Sequence, residues 1–154
     1  MKVRDIMTRP PQTCPATMSL PAASRRMHDC GCGTLIALDS HGRLAGILTD
    51  RDLALAVGRL DPTSATVADA MTQRVHVCAP DTGLAEALDA MARHKVRRLP
   101  VVTADGDPQG IISIDDITLW GVQDGVSVET LICAWRRICS AECAALDAAV
   151  DADR

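Results

Sequence analysis

An ungapped internal repeat is the feature that most constrains what this chain can fold into. Residue n resembles residue n + 64 over most of its length, the offset being that from Gly46 to Gly110 (110 − 46). Val3, Asp5, Met7 and Thr8 recur as Val67, Asp69, Met71 and Thr72, and Cys14 recurs as Cys78. Leu20, Ala23 and Met27 recur as Leu84, Ala87 and Met91, and Leu35 and Gly42 as Leu99 and Gly106. Gly46-Ile47, Asp52 and Leu55 return as Gly110-Ile111, Asp116 and Leu119. Two copies are too few for a solenoid, so the pattern implies a paired, pseudo-twofold body.

Within the first copy, residues 3–7 read as a helical turn ended by Pro10-Pro11, and residues 12–14 as an extended segment stopped by Pro15. Ser19 can cap a helix that tolerates Pro21 in its first turn, with Leu20, Ala23 and Met27 as its apolar stripe. Gly31-Cys32-Gly33 breaks it. Two strands follow, at 34–38 and 44–49, joined by Asp39-Ser40-His41-Gly42, and a helix from Asp50 ends near Gly58. The second copy runs likewise. Thr66 or Ser64 caps residues 67–71, residues 75–77 are extended, and Asp81-Thr82 opens a helix striped by Leu84, Ala87, Leu88 and Met91. Strands at 99–103 and 110–113 form a hairpin around Asp105-Gly106, and Pro100 places the first at an edge or strand start. The pattern predicts an α/β (α+β) fold of two βαββα repeats plus a C-terminal helix. Its divisions are 1–60, 61–122 and 123–154. In that last helix, capped by Ser127, the residues Val128, Leu131, Ile132, Trp135, Ile138, Cys139 and Leu146 form one apolar face, and the tail from Asp151 frays.

Composition narrows the function classes. The chain has 154 residues, 47% of them hydrophobic and 23% charged, as in a folded protein. It has no Phe or Tyr and two Trp, Trp120 and Trp135, so aromatic platforms for single-stranded nucleic acid are nearly lacking. A net charge of −4 also argues against a phosphate-backbone partner. The charged N-terminus is unlike a signal peptide, and no segment approaches the roughly 18 to 20 apolar residues that span a bilayer. A cytoplasmic protein without membrane or nucleic-acid partners is expected. Seven cysteines, an odd count without framework spacing, do not suggest a disulfide scaffold.

The chemistry concentrates in Gly46-Ile47-Leu48-Thr49-Asp50-Arg51-Asp52-Leu53 and its echo Gly110-Ile111-Ile112-Ser113-Ile114-Asp115-Asp116-Ile117. At a helix start, a hydroxyl residue followed three positions later by an acid is a capping-box variant, each side chain satisfying a free backbone N–H. The same geometry suits a ligand. Free N–H groups and the positive helix end attract phosphate, the hydroxyl adds a donor, and a first-turn carboxylate can accept from both hydroxyls of a ribose. The residues alone leave both readings open. No nucleophile elbow, Gly-rich phosphate loop or paired acids support catalysis, so no enzyme is expected.

The ordered set resembles a tandem pair of CBS domains: openings like Asp5-Ile6-Met7-Thr8, a helix ending in Met, and the closing Gly-apolar-apolar-Thr/Ser-x-x-Asp, twice over about residues 1–122. The resemblance implies two repeats packed as a pseudo-twofold pair, usually joined to a second copy in a homodimeric, four-repeat assembly. It also implies inter-repeat clefts for AMP, ADP, ATP or S-adenosylmethionine as regulatory ligand, with ligand state signalled to an unidentified partner protein. On that resemblance Thr49, Asp52, Ser113 and Asp116 become ribose and phosphate contacts. Arg97-Arg98 before Leu99-Pro100-Val101 match family stretches that reach ligand phosphates, and the guanidinium suits that task. Their counterparts Gly33 and Thr34 make the clefts unequal, one polyphosphate-capable and the other weak or empty. Arg51 with Gly33-Thr34 marks one site and Asp115 with Arg97-Arg98 the other. The segments after Thr8 and Thr72 are expected to sandwich an adenine ring with aliphatics.

Two competing functions remain in view. One is a scaffold with empty clefts, working through the C-terminal helix. The other is a cysteine-based redox or metal sensor around His28, Cys30 and Cys32, which lack a matching second ligand pair. No bound metal is expected. By the repeat offset Cys30 and Cys32 precede the positions of the arginines, so oxidation there would perturb a cleft. Cys139 and Cys143, one turn apart, read as packing residues.

Overall fold

The computed structural model describes residues 1–61 and 63–151, with side chains through residue 140. The side chains of Cys143 and Leu146 and the tail beyond residue 151 lie outside the described residues. In chain order the elements are α1 (Val3–Ile6), β1 (Thr13–Pro15), α2 (Leu20–Asp29), β2 (Thr34–Leu38), β3 (Leu44–Thr49) and α3 (Asp50–Val57). Then come α4 (Val67–Ala70), α5 (Leu84–His94), β4 (Arg98–Val102), β5 (Pro108–Ser113), α6 (Ile114–Trp120), a 3-10 turn (Gly121–Asp124) and α7 (Val128–Asp151). The mixed α/β architecture and the two repeats are those the internal repeat predicts, and the final helix is the one its apolar periodicity predicts.

In the first repeat β1 pairs parallel with β2, and β2 antiparallel with β3. The second repeat keeps the antiparallel β4–β5 pair, but its opening segment forms a single bridge, Cys78 to Val101, rather than a strand. Two prolines explain the loss. In the first repeat the Ile36 N–H donates to the Gln12 carbonyl at 2.9 Å and the Ala16 N–H to the Leu38 carbonyl at 2.9 Å. The 64-residue offset puts Pro100 and Pro80 at those two donor positions, and proline has no N–H. The two bonds that need neither proline as donor survive, Cys78 N–H to Pro100 at 3.1 Å and Val102 N–H to Cys78 at 3.0 Å. Pro100 thus sits within β4, on its sparsely bonded outer edge. In the same segment the His76 ring stacks on His94, with centroids 3.5 Å apart.

The helices follow their sequence signals with one shift. Ser19 caps α2, Thr49 caps α3, Thr66 caps α4 and Ser113 caps α6. α5 opens from Gly83 rather than from Asp81-Thr82, because the Thr82 hydroxyl accepts from the Ala79 N–H at 3.1 Å and closes the preceding turn. α7 lies along α5 and buries Leu131, Ala134 and Ile138. Val128 and Ile132, expected on the same face, are 57% and 53% exposed. Adjacent residues such as Leu131 and Ile132 point about 100° apart around a helix, so one narrow contact cannot bury both.

The two cores exchange their opening helices. Val3 and Met7 of α1 are buried with Leu84, Leu88, Met91, Leu99 and Ile112 of the second repeat. Val67 of α4 is buried with Leu20, Met27, Leu35 and Leu48 of the first, and Met71 packs at its border. The backbone seats match across the pseudo-axis. Val3 and Arg4 N–H donate to Thr82 and Pro80, and Val67 and Ala68 N–H to Met18 and Ala16, at 2.8–3.0 Å. Burying a valine side chain fully stabilises by about 1.5–3 kcal/mol, so neither core closes well without the other repeat's helix.

Beyond each exchanged helix the chain crosses a strand. Thr8 exchanges backbone bonds with Ile111 of β5 at 2.9 and 3.2 Å, and Thr72 with Ile47 of β3 at 2.9 and 3.0 Å. That crossing dictates the repeated glycines. A Cβ on Gly46 would lie 2.5 Å from Met71 Sδ and 2.9 Å from the Thr72 carbonyl oxygen; on Gly110 it would lie 2.7 Å from Met7 Sδ and 2.9 Å from the Thr8 oxygen. Gly46→Ala and Gly110→Ala are each expected to destabilise by about 1–3 kcal/mol, the usual cost of overpacking, in urea unfolding. Met71→Ala should relieve Gly46→Ala only partly, because the backbone oxygen stays; full rescue would show that the crossing is not the constraint.

Candidate functional site

The crossing brings each Thr/Ser-x-x-Asp helix start against the other repeat. At α3 the Thr49 N–H and hydroxyl both donate to Asp52 Oδ2, at 2.8 and 2.7 Å, and the Asp52 N–H returns to Thr49 Oγ1 at 3.2 Å. Ser113 and Asp116 at α6 repeat this at 2.8, 2.7 and 3.1 Å. The capping reading is therefore correct as far as it goes, and only Oδ2 of each aspartate takes part in these bonds. Thr66 and Asp69 build a related cap at α4, away from the two clefts that follow, so the cap alone marks no site.

What surrounds the caps distinguishes them. A cleft of about 310 Å³ is lined by Thr49, Asp50, Arg51, Asp52, Ile47 and Thr34 from the first repeat. Thr72 and Lys95 to Arg98 line it from the second. A second cleft of about 250 Å³ is lined by Ser113, Asp116, Ile111 and Arg98 on one side. On the other lie Thr8, Pro11, Gln12, Gly31 to Thr34, and Ile36. Both approach the lower end of the size range of small-molecule pockets, about 300–1,000 Å³. Every predicted site residue lines one or both: Thr49, Arg51, Asp52, Thr72 and Arg97 the first, Ser113, Asp116 and Thr8 the second, and Thr34 and Arg98 the two together.

The pairing of these groups differs from the sequence expectation. Arg51 does not share a cleft with Gly33, nor Ser113 and Asp116 with Arg97. The two repeats face each other at the clefts, so Arg97 and Arg98 of the second face Thr49 and Asp52 of the first, and Arg98 also lines the cleft of Ser113 and Asp116. The first cleft therefore holds four cations, Arg51, Lys95, Arg97 and Arg98, while Arg98 is the one cation among the described lining residues of the second. The segment after Thr8 does supply an apolar wall, Pro11, to the second cleft; the segment after Thr72 supplies none to the first, whose apolar walls are Ile47 and Val96.

Lys95 is a residue that patterning misses. It ends α5 at φ 55°, where its counterpart Gly31 has φ 60°. Left-handed backbone costs a non-glycine residue about 1–2 kcal/mol, so a lysine here trades stability for a charge at the cleft. Thr34 is a second signal. It is 8% exposed, and its Oγ1 is buried without a hydrogen-bond partner. A buried hydroxyl left unpaired costs about 1–3 kcal/mol.

Cys32 lines the second cleft, and Cys30 Sγ donates to Oε1 of Gln12, which lines it too, at 3.3 Å. Cys14 and Cys78 belong to the cores; burial pushes the Cys78 thiol up to about 11 and Cys14 above its ordinary value. Among the described residues no cluster of three or more metal-ligating side chains occurs, and no helix is long and apolar enough to cross a membrane.

A sequence profile of the CBS domain matches residues 3–59 and again 67–121. The chain belongs to the CBS-domain family. Paired CBS domains are regulatory ligand-binding modules. The chain is 35% identical over 120 residues to the uncharacterized protein YlbB of Bacillus subtilis, which covers 77% of this chain and 80% of that one. Its fold matches the CBS domain pair of protein MJ0100 in complex with 5′-methylthioadenosine and S-adenosyl-L-methionine. There the TM-score is 0.72 at 27% identity, over 80% of this chain and 98% of that one. It also matches CBSX2 in complex with AMP, with TM-score 0.69 at 26% identity over 81% and 98% of the two chains.

Thr34→Val keeps the shape and removes the orphaned hydroxyl. In the ligand-free protein it is expected to raise stability by about 1 kcal/mol in thermal unfolding. A fall instead would show that the hydroxyl already has a partner.

Proposed function

We propose that this chain senses adenine nucleotides, with AMP, ADP or ATP seated in the cleft at Thr49 and Asp52 and S-adenosylmethionine as the alternative ligand. One observation carries the reading: four cations contributed by both repeats surround a capped helix start whose hydroxyl and carboxylate can meet a phosphate and a ribose. Asp52 Oδ1, outside the cap bonds, accepts from the ribose hydroxyls, the Thr49 hydroxyl turns from Asp52 Oδ2 to donate to the phosphate, and the guanidinium forks of Arg97 and Arg98 take its remaining oxygens. Ile47 and Val96 give the adenine ring an aliphatic seat in place of aromatic stacking. That MJ0100 and CBSX2 were solved with adenine-containing ligands supports this class.

The mechanism is population shift, with no catalytic step. A ligand touching both repeats favours the relative arrangement that fits it, and a partner protein reads that arrangement. A coupling of roughly 1–3 kcal/mol suffices for regulation. A second copy of the chain is the first such partner. Leu55 on α3 and Leu119 on α6, equivalent under the 64-residue offset, are 52% and 70% exposed, as a homodimeric, four-repeat assembly needs.

A thermal-shift panel of AMP, ADP, ATP, NAD and S-adenosylmethionine tests the reading. A ligand at a hundred times its dissociation constant is expected to stabilise the fold by about 2.7 kcal/mol. Asp52→Ala should abolish most of the shift; an undiminished shift in both Asp52→Ala and Asp116→Ala would place the ligand elsewhere, and silence across the panel would favour the scaffold function. Lys95→Gly separates site from fold. It should raise ligand-free stability by about 1 kcal/mol while weakening nucleotide binding.

A further inference from the structure

Thr34 opens β2 and Arg98 opens β4, and the two are equivalent under the 64-residue offset. They lie where the clefts meet, since each lines both cavities. Neither side chain has an ion pair or hydrogen bond among the described residues, and the Thr34 hydroxyl is buried as well as unpaired. The Arg98 guanidinium is therefore ready to donate into either cleft.

We infer that Arg98 is shared between the two clefts, so that an anion bound in one lowers the affinity of the other for an anion. The inference rests on the reading of the clefts as adenine-nucleotide sites and adds how they regulate each other. A guanidinium is a rigid planar fork, and an anion gripped by two of its parallel N–H groups fixes its plane and direction. A phosphate in the first cleft, held there by Arg51, Lys95 and Arg97 as well, draws the Arg98 fork to its side.

The charge left in the two clefts is unequal. The first cleft loses one cation of four if Arg98 turns away, whereas the second loses the one it has and is left with Asp116. With a nucleotide in the first cleft, the second rejects phosphate and retains the contacts that suit an uncharged nucleoside: Ser113, Asp116, Gln12 and the apolar Ile111, Ile36 and Pro11. Ligand class in the second cleft is thus set by occupancy of the first. By linkage the penalty is reciprocal.

Calorimetric titration with AMP tests this on the full chain and on Asp52→Ala, Asp116→Ala and Arg98→Thr, with circular dichroism confirming that each is folded. In the native chain the first AMP is expected to bind in the Arg51 cleft, and any second AMP at least tenfold more weakly. Asp52→Ala, with the first cleft disabled, should bind AMP in the second cleft about tenfold more tightly than that second step. Arg98→Thr should weaken the first step and leave the second where it was, a split that general loosening of the fold would not produce. Arg98→Thr also tests the sharing by itself if Asp52→Ala fails to fold. A second step equal in the native chain and Asp52→Ala overturns the sharing while leaving nucleotide binding intact. So does a single AMP site lost in Asp52→Ala and unchanged in Asp116→Ala. Absence of AMP, ADP or ATP binding to the native chain overturns the nucleotide reading itself.

Discussion

The exchange of α1 and α4 between the two cores is the constraint on which the rest of this molecule depends. Each short helix carries a valine with no exposed surface, Val3 or Val67, into the other repeat's core, and the chain then crosses that repeat's strand by two backbone hydrogen bonds. A four-residue helix has little stability of its own, since nucleation alone is unfavourable. Its place comes from burial, from matched carbonyl seats on Met18 and Ala16 or Thr82 and Pro80, and from a glycine that lets the crossing backbone approach. The clefts are by-products of this interlock.

Because the interlocked repeats face each other at the clefts, a difference between them acts on the site of the other. The segment 95–98 reads Lys-Val-Arg-Arg where 31–34 reads Gly-Cys-Gly-Thr. The basic segment stays on its own repeat, where Arg98 pairs with Ser113 of β5 and the Arg97 carbonyl accepts from the Ile114 N–H. Its side chains reach across to the first repeat's cleft and join Arg51, so a chain with net charge −4 gathers four cations around one cleft. Local stability is traded for this arrangement at two points: Lys95 in left-handed backbone and Thr34 with a buried, unpaired hydroxyl. Strain and unpaired polar groups that the surrounding structure tolerates are typical of functional sites.

Much of the fold was legible because its signals are local. Leu20, Ala23 and Met27 striping α2, the Ser19 cap, the short apolar strands bounded by turn residues and the closing glycine of α3 each follow from signals that a single segment carries. The repeat offset added the pairing of elements, and it also held the reason for the lost strand, since Pro80 and Pro100 replace the donors Ala16 and Ile36. The exchange itself was not legible. One buried valine on four residues says that the turn is anchored, with no trace of which core anchors it, and so Arg97 was grouped with Asp115 although it lines the cleft of Asp52, while Arg98 lines both clefts. Lys95 escaped for a similar reason: its signal is a backbone angle that residue type does not reveal. In α7, Val128 and Ile132 count toward an apolar stripe in sequence, but α5 is narrower than that stripe.

The basic cleft at Thr49 and Asp52 is the proposed seat of the nucleotide phosphate. A crystal structure of the protein soaked with AMP tests it most directly. Phosphate density is expected between the Thr49 hydroxyl and the guanidinium groups of Arg97 and Arg98, with the ribose on Asp52. Phosphate density beside Ser113 and Asp116, with the Arg51 cleft empty, would contradict it.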